Sequence, residues 1–117
     1  MRDLAPPGTP VARASEVAEG YPLAVTLPDG AAVCLVRHGD AIYAVEDRCP
    51  HRDFPLSGGD VVAPCVLECP WHGARFDVQT GNCLTGPATD AIATWPVTVA
   101  DGRVYLGARR APVEEAS

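Results

Sequence analysis

Two short stretches decide the reading of this chain: Arg48-Cys49-Pro50-His51-Arg52-Asp53 and Glu68-Cys69-Pro70-Trp71-His72-Gly73. The first offers Cys-x-His and the second Cys-x-x-His, with seventeen residues between His51 and Cys69. Each follows a segment with strand character, Tyr43–Asp47 before the first and Val66–Glu68 before the second. Two hairpin tips can therefore bring two thiols and two imidazoles to one point. Such a donor set suits either a single tetrahedral zinc or a mixed-ligand iron–sulfur cluster. Spacing alone leaves both open.

Outward from these boxes, the residues 48–87 hold four of the five cysteines and two of the three histidines. An odd number of cysteines, tightly spaced, points to metal rather than to a disulfide framework. The flanks read as strands rich in Val, Ile, Leu and Tyr, separated by turn signals. Pro28-Asp29-Gly30 divides Leu23–Leu27 from Ala31–Arg37. His38-Gly39-Asp40 precedes Ala41–Glu46, and Asp101-Gly102 divides Ile92–Ala100 from Arg103–Gly107. Gly and Asp supply the positive φ that tight hairpins need. One turn of helix is expected at 15–20, stopped by Tyr21-Pro22.

With 117 residues, eleven Gly and twelve Pro, the chain reads as one turn-rich, all-β domain of antiparallel sheets. The expected limits are an extended arm at 1–10, the domain at 11–107 and a polar tail at 108–117. A net charge of −6 argues against nucleic acid and anionic membrane as partners. No apolar run approaches the ~20 residues that span a bilayer. The first residues lack the apolar stretch of a secretory signal, so a cytoplasmic monomer is expected.

The residues around the boxes resemble the Rieske family. Pro55-Leu56 follows the first box, and Ala74-Arg75-Phe76-Asp77 with Thr80-Gly81 follows the second. Gly86-Pro87-Ala88 is similar to the family's proline loop. The resemblance implies a Rieske-like fold, with a small cluster-binding subdomain at one tip, spanning about 48–87. It implies one 2Fe–2S cluster, with Cys49 and Cys69 on the buried iron and His51 and His72 on the outer one. Trp71, Pro87 and Arg52 then fall where a redox partner docks or where the cluster is shielded. Two imidazoles in place of two thiolates remove negative charge and raise the potential above that of an all-Cys cluster.

The high-potential branch of the family ties its boxes with a disulfide and aims a Ser and a Tyr hydroxyl at the cluster sulfurs. The matching positions here are Phe54 and Trp71, then Ala74 and Phe76. This favours the low-potential ferredoxin branch. By resemblance, electrons come from a flavin-containing NAD(P)H-dependent ferredoxin reductase and pass to a terminal oxygenase. No nucleophile–base pair stands out, so the expectation is a carrier and not an enzyme on its own. Two rivals stand beside it: a small subunit of an assimilatory nitrite reductase, and a zinc-holding interaction module. Cys34, Cys65 and Cys83 read as small buried hydrophobes, and His38 as a solvated turn residue. Arg48, Arg52 and Arg75 read as surface partners of nearby acids, or as charges that favour the reduced cluster.

Overall fold

The computed structural model describes residues 10–50, 54–70, 73–85 and 90–112. Ten strands are named: β1 Ala12–Arg13, β2 Leu23–Thr26, β3 Ala32–His38, β4 Ala41–Glu46, β5 Asp60–Ala63, β6 Val66–Glu68, β7 Arg75–Asp77, β8 Thr94–Trp95, β9 Val97–Ala100 and β10 Arg103–Leu106. They form three antiparallel sheets, ordered β2-β3-β4-β8, β1-β10-β9 and β5-β6-β7. Among the described residues the only helical pieces are two three-residue 3-10 turns, Ala14–Glu16 and Leu56–Gly58. The all-β expectation holds; of the helical turn expected at 15–20 only a 3-10 turn at Ala14–Glu16 is present, and Ala18 and Glu19 instead form β-bridges.

The turns behave as their residues dictate. Asp101 and Gly102 both take positive φ, 52° and 72°, the pattern of a two-residue turn whose twist matches the flanking strands. Gly39 at +62° opens the two-residue β3–β4 turn. Glu19 buttresses that turn by accepting from Gly39 N at 3.0 Å and lying 3.1 Å from His38 Nδ1. The Gly39 amide, and after it His38, hold the Glu19 carboxyl below its usual range. His38 is exposed, as a solvated turn residue should be.

Alternation along the central sheet does not separate core from solvent. It separates two cores. On β3, Val33 and Leu35 pack with Val17, Ile42, Ala44, Trp95 and Val104, while Cys34 and Val36 face the opposite way. That second face packs with Val45, Leu56, Leu67, Phe76 and Val78 from the region of the two boxes. A strand covered on both faces reads as a near-continuous apolar run, which Val33–Val36 is. The sheet β5-β6-β7, inserted between β4 and β8, is thereby held against the rear of the central sheet.

Pro96 explains one departure from the expected Ile92–Ala100 strand. The segment is cut at the proline: β8 pairs with β4, whereas β9 pairs with β10 in another sheet. A residue without an N–H is suited to the point where a strand changes sheets. After β10, Arg110 exchanges backbone hydrogen bonds of 2.7 and 3.1 Å with Thr94, so the chain returns to the edge of β8. Among the described residues no helix is long and apolar enough to cross a membrane.

Candidate metal centre

The two boxes are built alike. Cys49 N–H donates to Phe54 O at 2.8 Å, and Cys69 N–H donates to Ala74 O at 2.7 Å. Each cysteine thus bonds the carbonyl five residues on and sits at the base of a closed loop. In the second loop Gly73 N also returns to Cys69 O at 3.1 Å, with Gly73 at φ +74°. Both thiols are almost wholly buried, at 0% and 1% exposure, in one apolar cluster with Leu56, Leu67, Ala74 and Phe76. The five cysteines, all among the described residues, form no disulfide. Two thiols on paired loops, walled by hydrocarbon, are the donor chemistry that an iron–sulfur cluster takes. His51, Arg52, Trp71, His72 and Pro87 lie outside the described residues.

The loops are anchored from behind. Glycine at 59 lets β5 approach the strand that delivers Cys69: a Cβ there would lie 1.9 Å from Glu68 O. Backbone cannot give way by that amount, so Gly59→Ala should lower the melting temperature and the fraction of chains that retain a metal centre. Thermal unfolding with and without metal checks this; an alanine variant with wild-type melting contradicts it. Gly81 serves the other side of the second box, at φ +82° and with its would-be Cβ 2.2 Å from Ile92 O.

The remaining charged and thiol groups fall into place. Arg48 Nε pairs with Glu46 at 3.1 Å, and Arg75 Nε with Glu68 at 3.1 Å, both partly exposed. These are surface pairs of small energetic weight. Cys34 is fully buried, as expected, and burial, then the Asp47 charge, push its thiol well above the ordinary range. Cys65 and Cys83 are only half-buried, which corrects the reading of both as core residues. Cys65 takes φ +61° in the β5–β6 turn, and Cys83 Sγ lies 2.8 Å from Thr85 O. The sequence reading counted Asp47 among the acids that could pair with the nearby arginines at the surface, whereas it is buried and accepts hydrogen bonds from Ser57. An acid directly before a cysteine box was the available signal.

A family model described as the Rieske 2Fe–2S domain matches residues 8–96. The chain belongs to the Rieske family. Its resident cofactor is a 2Fe–2S cluster of Rieske type. The ferredoxin component of the p-cumate 2,3-dioxygenase system of Pseudomonas putida is 35% identical over 98 residues, 84% of this chain and 83% of that one. The ferredoxin of Sphingomonas yanoikuyae B1 superposes with a TM-score of 0.80 at 28% identity, covering 86% of this chain and 97% of that one. A chain from the complex of reduced oxygenase and oxidised ferredoxin in carbazole 1,9a-dioxygenase gives 0.77 at 35% identity, covering 85% of this chain and all of that one. A Mycobacterium tuberculosis chain assigned as an NADH-dependent nitrite reductase small subunit gives 0.75 at 25% identity, covering 90% and 96%. The Rieske fold is thus shared across both functional groups, and the higher identities fall on the dioxygenase side.

Proposed function

We propose that this Rieske protein is the ferredoxin component of a ring-hydroxylating dioxygenase system, a cytoplasmic monomer that carries one electron at a time. Electrons enter from a flavin-containing reductase and leave to a terminal oxygenase. The carrying observation is the near-complete match to ferredoxin components, at 35% identity to the p-cumate system's. The Rieske domain fills about 11–107, with residues 48–87 as the cluster-binding part. The cluster is held by Cys49 and Cys69 on its buried iron and by His51 and His72 on its outer iron, and it supplies reversible one-electron chemistry.

What the chain does for that chemistry follows from its own residues. The closed loops fix the two cysteines, so little rearrangement accompanies a change of charge. Leu56, Leu67 and Phe76 exclude water from the cysteine side. As ligands of the outer iron, the histidines would give an electron a short exit.

Docking belongs at that exit, around His51, His72, Trp71, Pro87 and Arg52. The described residues that adjoin these positions in sequence include exposed apolar ones: Phe54 is 37% exposed and Leu84 51%, and Pro55 and Pro70 are exposed. Exposed large apolar side chains are the kind that contact surfaces use. Leu84→Asp and Trp71→Asp should each slow electron transfer to the purified oxygenase about tenfold, the size of a hot-spot loss. The visible spectrum should stay as in the parent. Unchanged transfer in both variants, with loss on changing exposed Val99 on β9, would place the face elsewhere.

A nitrite reductase subunit would co-purify in fixed ratio with its large partner. The ferredoxin is expected to purify alone and to shuttle electrons between separate proteins.

A further inference from the structure

Asp47 is the residue of the site that the ligand set leaves unexplained. It directly follows β4, two residues before Cys49, and is only 8% exposed. Burial of a carboxylate is expensive unless its oxygens are satisfied. Here both are: Oδ1 accepts from Ser57 N at 2.6 Å and Oδ2 from Ser57 Oγ at 2.7 Å. Ser57 lies on the 3-10 turn that follows the first box, next to fully buried Leu56. Asp47 N–H in turn donates to Ala32 O at 3.0 Å, fixing the residue to β3. The carboxylate therefore joins the two ends of the loop that carries Cys49.

Holding a loop does not require a charge. A Thr or Asn at 47 would tie the same ends at a lower desolvation cost. The two donors are a backbone amide and a hydroxyl, which solvate the negative charge without cancelling it. The amide of Asp47 is bonded to Ala32 on β3, the strand that carries the Cys34 thiol into the apolar cluster containing Cys49 and Cys69, and the Asp47 charge helps to push that thiol up. In such surroundings a unit charge is weakly screened.

We propose that Asp47 is a potential-setting residue: its buried carboxylate, tethered through Ser57, fixes a negative charge behind Cys49 that makes the cluster harder to reduce. The inference rests on the assignment of Cys49 as a ligand. Adding an electron increases the cluster's negative charge, so a nearby anion opposes it. At an effective dielectric of ~20, a unit charge alters a one-electron equilibrium about tenfold even at a separation of ~12 Å. This lowering acts beside the missing hydroxyls at 74 and 76, through charge instead of hydrogen bonding.

The test is a redox titration of the purified holo-protein, followed by visible absorption. Asp47→Asn keeps the shape and one acceptor oxygen but loses the charge. Its midpoint should rise by about tenfold in the equilibrium constant, about 59 mV for a one-electron couple, with the spectrum of the oxidised form unchanged. Asp47→Ser, small enough to admit a water to the Ser57 donors, is a second neutral variant and should rise as well. Ser57→Ala keeps the charge and drops one donor; it should melt lower, with a midpoint unchanged or lower. A midpoint unmoved in either neutral variant that binds a cluster overturns the proposal. So does a rise in Ser57→Ala as large as that in Asp47→Asn, which would make loop geometry the cause. Failure of the ligand assignment shows itself separately, as a cluster that persists in Cys49→Ala.

Discussion

Cys49→Ala and Cys69→Ala will each yield colourless protein that contains no stoichiometric iron, while Cys34→Ala, Cys65→Ala and Cys83→Ala remain red-brown. The two proposed ligand positions differ from the other three in place and not in residue type. Cys49 and Cys69 stand at the bases of equivalent loops, each donating its amide to the carbonyl five residues on. Alanine keeps that backbone bond, so the loops retain their path and the variants lose a thiolate more than they lose a fold. Loss of metal still costs stability, because binding to the native loops alone contributes folding free energy. Both ligand variants should therefore melt below the parent. Iron content, absorption and thermal unfolding on the five single variants check this. A cluster retained in either Cys49→Ala or Cys69→Ala, or lost in Cys65→Ala or Cys83→Ala, would mean that the wrong cysteines have been assigned.

The double variant Ala74→Ser/Phe76→Tyr should have a higher reduction potential than the parent, by at least about 59 mV, a tenfold change in the equilibrium constant. Ala74 is 6% exposed and Phe76 fully buried, in the cluster that contains both cysteines. Hydroxyls placed there have few polar partners other than cysteine and cluster sulfur. A donor to sulfur stabilises the more negative, reduced form over the oxidised one. An unsatisfied buried hydroxyl costs about 1–3 kcal/mol, so the variant also reports whether the sulfurs lie within reach. A folded double variant whose potential equals the parent's would show that these positions do not tune the cluster. The parent potential itself should lie near the negative end of the Rieske window, about −150 mV.

Much of this arrangement was legible in the sequence because metal-binding loops are local. Cys49 and Cys69 came from spacing, and the residues beside them separated the cluster reading from zinc. The hairpins at Gly39 and Asp101-Gly102 were legible for the same reason, since a two-residue turn is decided by the residues in it. Long-range facts were not. Nothing in Val33–Val36 says that its two faces serve different cores, because both are apolar. Pro96 marks a break but not the sheet to which each half goes. The close approach of Gly59 to Glu68 involves residues on neighbouring strands, and Gly58-Gly59 only hints at it. The Asp47–Ser57 link spans ten residues around the first box, and a lone acid beside a turn has many ordinary explanations. Cys65 shows the opposite error: its place beside a strand suggested burial, whereas it lies in the β5–β6 turn at positive φ.

The central claim is that the mixed pair of boxes holds a 2Fe–2S cluster used for one-electron transfer. The direct measurement is iron and acid-labile sulfide on anaerobically purified protein, with electron paramagnetic resonance after reduction. The account predicts two irons and two sulfides per chain, visible absorption in the oxidised form, and an anisotropic signal of a mixed-ligand cluster on reduction. One zinc per chain, with no visible absorption and no signal, would contradict it.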